Sequence, residues 1–235
     1  MDDAELLPPR SWIPSTVTAA SMTSGFASML LAASDRFEPA VYCLLAAIFL
    51  DILDGRLARR LHATSRFGQE LDSFGDALSF GVAPALLIYQ AILYQMGPAG
   101  AVVALAYLLA GIYRLVRFNL QSDAHRKSRR TTGVPIPFAA SYLMTATLMR
   151  EQLTPLWTTL LVLFMAFAMT SRWRLPDLKG KNVVSAMLLV GLLLFVFVVL
   201  RPSWQTVIWW SAWNLLILLA AKLQDRHLAR ATAGS

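Results

Sequence analysis

Charged residues are scarce in this chain. They make up 15% of its 235 residues against 57% hydrophobic ones, and mean hydropathy is +0.54. An ordinary soluble domain is about 45–50% apolar and about 25% charged, so this composition excludes the soluble globular class. A single cysteine, Cys43, excludes an internal disulfide, and its setting in VYCLLAA reads as a small buried hydrophobe. The three histidines, His62, His125 and His227, stand apart in basic loops or the tail. That spacing gives no histidine-based zinc centre. Acidic residues number 14 against 21 basic ones, for a net charge of +7 and a pI near 10. Such a balance suggests nucleic acid, but a basic RNA-binding face also needs aromatics among its arginines. The tryptophans instead fall mostly at span ends or in the last apolar run, where Trp204, Trp209, Trp210 and Trp213 read as interface anchors. Repeats and low-complexity segments are missing as well.

What the chain does contain is long apolar runs. Residues 183–200 carry no charge, and a run of about 18 such residues is long enough to span a bilayer. Apolar runs against polar breaks predict eight spans, at 13–33, 38–58, 75–95, 99–119, 134–149, 155–170, 183–200 and 204–221. The first is a helix and not a signal peptide, since Asp2, Asp3 and Glu5 precede it in place of a basic region. Pro135 and Pro137 suit a first helical turn in the short fifth span, and Thr154–Pro155 is either a kink or a loop. With the N-terminus inside, all Lys and Arg except Arg36, Arg150 and Arg201 fall on the cytoplasmic side, as the positive-inside rule requires. Anionic lipid accounts for the basic run Arg126, Lys127, Arg129 and Arg130. The expected fold is therefore all-α: a polytopic integral membrane helical bundle of about eight transmembrane helices with both termini cytoplasmic. Residues 1–235 are expected to form one transmembrane domain, with a juxtamembrane segment at 1–12 and a basic tail at 222–235.

Ionisable residues inside spans are costly and point to function. Asp51 and Asp54 are three apart at the end of the second span, and Asp72 and Asp76 four apart at the start of the third. Each pair therefore lies on one helical face. Four converging anions repel one another unless cations neutralise them. Carboxylates without His or Cys suit Mg²⁺, Mn²⁺ or Ca²⁺ over zinc. Gly55 and Ala58, four and seven residues after Asp51, clear the same face, and Arg59 extends it with a cation suited to phosphate. The structural alternative is that these aspartates pair with neighbouring arginines. A second functional alternative is a divalent-cation transporter, which would place acids near the bilayer midplane on several helices.

The stretch from Asp51 to Asp76 resembles the CDP-alcohol phosphotransferase signature D-x2-D-G-x2-A-R-x8-G-x3-D-x3-D at every position. The resemblance implies a six-helix family core, here with two further helices, that transfers a phosphatidyl group from a CDP-linked lipid to an alcohol and releases CMP. It implies that Asp51, Asp54 and Asp72 bind metal, a pair of Mg²⁺ or Mn²⁺ ions with Ca²⁺ able to replace the native ion. Asp76 both faces that metal site and serves as base for the acceptor hydroxyl. Gly55, Ala58, Arg59 and Gly68 would line the CDP-lipid site. Thr18 joins them, because residues 13–18 resemble the family's Pro-Asn-x-x-Thr entry to its first helix, with Ser15 in place of Asn. A homodimer is also implied by the resemblance.

The acceptor is indicated by three later segments, Ser79–Pro84 (Ser-Phe-Gly-Val-Ala-Pro), Arg117-Phe118-Asn119 and Gly133-Val-Pro135-Ile-Pro137. They resemble the phosphatidylserine synthase branch. Serine presents a carboxylate, which favours an arginine pocket. The candidates are Arg117, Asn119 and Arg114, the last serving equally well as a positive-inside anchor. The expected partners are CDP-diacylglycerol, L-serine and membrane phospholipids, in a prokaryotic inner membrane with the site facing the cytoplasm. Glycerol phosphate, inositol or its phosphate, and choline remain alternative acceptors.

Overall fold

The computed structural model describes residues 12–124, 133–172 and 181–233, which contain helices and short connections and no strand. Helix α1 (Trp12–Ala33) buries Pro14, Thr18, Ser21, Gly25, Ser28 and Ala32, small residues recurring every three or four positions. Such a stripe lets helix backbones approach closely, which is how helices associate where lipid removes the hydrophobic driving force. Helix α2 (Phe37–Arg60) packs along it through Ala40, Val41, Leu44 and Ala47, all fully buried, and ends with Arg59 and Arg60 in its last turn. Those cations complement the negative end of the helix dipole.

The third rod has three parts. Ser65 caps helix α3 (Arg66–Asp76) by accepting from the Gly68 N–H at 3.0 Å. A π-helical stretch (Ala77–Val82) follows, and helix α4 (Ala83–Ala91) continues it with Leu87 and Ile88 fully buried. A long helix α5 (Pro98–Ala124) leads to α6 (Ile136–Leu148), whose Ala139, Ala140, Leu143 and Met144 are all inaccessible. Its place at the centre explains why so short a segment carries no charge. Helix α7 (Pro155–Thr170) starts at a Thr154 cap, and α8 (Lys181–Leu200) and α9 (Trp204–Ala233) pack together as a final pair. Phe26, Leu105, Leu160, Phe167 and Leu193 stand exposed on the outer surfaces, as expected where lipid is the solvent. Trp12–Ala33, Arg66–Ala91 and Pro98–Leu120 are long and apolar enough to cross a membrane, and Ile136–Leu148, Pro155–Thr170 and Leu189–Leu200 are shorter apolar helices.

The structure corrects several expectations. The third rod begins at Arg66, nine residues before the expected 75, and ends at Ala91. Thr154–Pro155 is a break, because a tight turn at Arg150–Gln152 and extended residues separate α6 from α7. Trp210 is not an interface anchor: it is buried with its ring 4.5 Å from Tyr142 and 5.1 Å from Phe195. Trp213 donates its indole N–H to the Met187 carbonyl at 3.2 Å, whereas Trp204 and Trp209 are exposed. Cys43 is half-buried in α2, and segment 222–235 continues α9 as far as Ala233. The 126–130 basic run, His125, residues 1–11 and residues 173–180 lie outside the described residues.

Candidate active site

The last turns of α2 and the short helix α3 meet beside the start of α1, and the four aspartates converge there, Asp72 and Asp76 from the second half of α3. One carboxylate oxygen each from Asp51, Asp54 and Asp72 lies within 4.8 Å of the other two. The Asp76 carboxyl lies close enough to Asp51 for the two to interact, and its Oδ1 is buried without a partner. Asp54 is buried and receives the Thr18 hydroxyl, which donates from α1 to its Oδ2 at 2.7 Å. Among the described residues none of the four is ion-paired with a lysine or arginine, so the salt-bridge alternative is not what this geometry shows. The acids also sit together at one end of two helices and are not spread along several. Three converging hard oxygens and a buried orphan carboxylate oxygen fit a hard divalent cation, the counter-charge that would offset their mutual repulsion.

On one side of the cluster opens a cleft of about 160 Å³ between α1, the end of α2 and the start of α3. Thr18, Gly55, Ala58, Arg59 and Gly68 all line it. A Cβ at Gly55 would meet only the Arg59 guanidinium, at 3.5 Å. Packing within the protein therefore does not demand glycine at 55, and the missing side chain leaves cleft volume. Ser65 and Gln69 line the cleft too. The sequence reading missed them, although Ser65 carried a signal as a serine placed to cap the helix beginning at Arg66.

On the other side, Arg114 of α5 is only 7% exposed, with its Nε buried and unpartnered. It lies close enough to Asp76 for their charges to interact. Arg117, one turn on, is spent differently. Its guanidinium donates to the carbonyls of Thr170 (2.9 Å), Met169 (3.2 Å) and Ser171 (3.1 Å), and stacks 5.6 Å from the Tyr113 ring centroid. The last carbonyls of a helix lack intrahelical partners, and Arg117 supplies them for α7. Val134 N–H joins the same helix end by donating to Ala168 O at 3.1 Å. Gly133 has φ +76°, and a Cβ there would fall 2.3 Å from Met169 O and 2.8 Å from the Arg117 guanidinium. Two segments matched to the phosphatidylserine synthase branch thus meet as one clamp on α7. Asn119 donates to the Ser73 hydroxyl at 3.0 Å, next to Asp72 in sequence.

The profile of the family described as CDP-alcohol phosphatidyltransferase matches residues 11–173. The chain belongs to that family. The matched span covers six helical rods, α1, α2, α3 with α4, α5, α6 and α7, and leaves the α8–α9 pair outside it. The chain is 33% identical over 195 residues to a Helicobacter pylori protein named CDP-diacylglycerol–serine O-phosphatidyltransferase, which covers 80% of this chain and 82% of the relative. It is 32% identical over 169 residues to a Bacillus subtilis protein of the same name, at 72% and 92% coverage. A Methanothermobacter thermautotrophicus protein named archaetidylserine synthase is 36% identical over 133 residues, 54% of each chain. The family and the membrane-length helices make this protein an integral membrane transferase.

Proposed function

We propose that the chain transfers a phosphatidyl group from CDP-diacylglycerol to the hydroxyl of L-serine, as a CDP-diacylglycerol–serine O-phosphatidyltransferase of phospholipid biosynthesis. The observation that carries this reading is the pairing of the four-aspartate cluster with a cleft on one side and a buried arginine on the other. The relatives' names support serine, since bacterial and archaeal proteins with different lipid parts in their names share that alcohol.

In this reading the cleft holds the CDP end of the donor. Arg59 faces its diphosphate, and Gly55, Ala58 and Gly68 leave room for it. Asp51, Asp54 and Asp72, with Asp76 facing them, would hold a pair of Mg²⁺ or Mn²⁺ ions. When bound, these supply positive charge against the diphosphate and the departing CMP. Asp76 accepts the proton of the serine hydroxyl, a poor nucleophile without a base in reach. The serine oxygen then bonds to the phosphorus that carries diacylglycerol. The bond from that phosphorus to the bridging oxygen breaks, and CMP leaves with that oxygen.

The serine carboxylate meets Arg114. That arginine takes the place the sequence reading gave to Arg114 and Arg117 together, because the Arg117 fork is engaged at the end of α7. Arg117 and Asn119 then shape the acceptor side through α7 and Ser73. The proposal includes eight spans with both termini cytoplasmic, a site facing the cytoplasm of a prokaryotic cell, one catalytic domain, and a homodimer. Purified protein incubated with CDP-diacylglycerol and labelled serine should yield labelled phosphatidylserine and equimolar CMP, and chelation of divalent ions should stop both. Label remaining in free serine while CMP accumulates would refute the reading.

A further inference from the structure

Asp76 is the last residue before the π-helical stretch, and that stretch is pinned from two neighbouring helices. The Ala83 N–H donates to Leu78 O, five residues back, so the rod contains one more residue in this turn than an α-helix would. An α-helix turns about 100° per residue. Removing the extra residue would therefore rotate α3, with Asp72 and Asp76, by about that angle relative to α4. The two halves have different demands. α4 is fixed by burial, with Leu87 and Ile88 inaccessible, while α3 must turn its acids toward Asp51 and Asp54. An ordinary helix through residues 66–91 cannot satisfy both faces at once.

Local sequence opens the ladder here: Pro84, two residues past Val82, has no N–H to donate to Phe80 O four residues back, and its ring crowds that carbonyl. Tertiary contacts hold the freed carbonyl and its neighbour. Tyr107 of α5 is completely buried and donates its hydroxyl to Phe80 O at 2.9 Å, inside the widened turn where a carbonyl is displaced from α-helical pairing. Ser79, also fully buried, donates to Ser21 O of α1 at 3.3 Å. Gly25 of α1 lies so close that a Cβ would sit 2.9 Å from Ser79 Cα. π-bulges inside helices recur at functional sites.

We propose that the π-turn sets the angular position of Asp76, and that Tyr107 is the positioning residue that holds the turn. The inference rests on the reading of Asp76 as the base. Tyr107→Phe keeps the ring and removes only the donor, so Asp76, next to the turn, loses its alignment, while Gly68 and Gln69, which α3 contributes to the CDP cleft, lie about two turns away and α1 and α2 form its other walls.

The test uses the purified full chain in detergent. Tyr107→Phe should lower kcat for CMP release about tenfold, equivalent to about 1.4 kcal/mol in the barrier, with CDP affinity and the CDP-lipid KM within about twofold of wild type. Ser79→Ala should shift kcat in the same direction by about threefold and answers the question if Tyr107→Phe does not yield folded protein. An unchanged kcat in the variant measured, or kcat and CDP affinity lost together, overturns the inference. Asp76→Asn, measured alongside, tests the base separately: activity in that variant refutes the assignment of the base whatever Tyr107→Phe does.

Discussion

Arg114 and Arg117 are three residues apart, and the account gives them different work, so the same substitution should fail in two different ways. Arg114→Lys keeps a positive charge beside Asp76 but removes the planar fork that pairs with a carboxylate. The wild-type side chain is only 7% exposed and its Nε has no protein partner, so no neighbouring group stands in for the lost donor. One charge-assisted hydrogen bond is worth about 1.5–3 kcal/mol, which corresponds to roughly 10- to 100-fold in the serine KM. Arg117→Lys removes the fork from three carbonyls at 2.9–3.2 Å and leaves a single ammonium to reach them. The expected loss is about 1–3 kcal/mol of stability, with the serine KM within about threefold of wild type. CMP release against serine concentration, paired with thermal unfolding in detergent, reads both effects. Serinol, which lacks the carboxylate, should be a poor acceptor for wild type and insensitive to Arg114→Lys. A serine KM that rises in Arg117→Lys and not in Arg114→Lys would refute the assignment.

Other substitutions address the rest of the site. Asp76→Asn should abolish CMP release and leave CDP-lipid binding within a few-fold, measured by equilibrium binding, because it removes the base more than the nucleotide cleft. Thr18→Val removes the hydroxyl that donates to Asp54 at 2.7 Å. It should raise the divalent-ion concentration needed for half-maximal activity by about tenfold, since partners that orient metal ligands typically contribute 10- to 100-fold. Gly25→Ala would place a methyl 2.9 Å from Ser79 Cα, and overpacking of this kind costs about 1–3 kcal/mol, readable as a lower unfolding temperature.

The helical plan was legible because lipid-facing segments must be apolar and span ends polar. Helical segments occupy all eight of the expected runs, including the short Ile136–Leu148. Hydropathy misplaced the start of the third rod because Arg66–Asp76 carries Arg66, Gln69, Glu70, Asp72 and Asp76. A polar helix leading into an apolar one looks like a loop to any apolar window. The carboxylates were legible from spacing alone, since positions three and four apart share a face. The separation of Arg114 from Arg117 was not, because both satisfy the same local spacing. What divides them is the end of α7, more than fifty residues away in sequence. Pro84 marks a break in the third rod, but that the break is a π-turn is not legible, because its pins, Tyr107 and Ser21, come from other helices. Trp210 was misread because a tryptophan near a span end has the same sequence signature whether it meets headgroups or the rings of Phe138, Tyr142 and Phe195.

The central claim is the chemistry and its acceptor, and competition among alcohols tests it most directly. Purified protein with CDP-diacylglycerol and Mg²⁺ or Mn²⁺ would be offered serine, glycerol phosphate, inositol, inositol phosphate and choline at equal concentration, with products resolved by mass spectrometry. The account predicts phosphatidylserine as the dominant product, formed one for one with CMP. A larger yield from any other alcohol, or no CMP release with any of them, would contradict it.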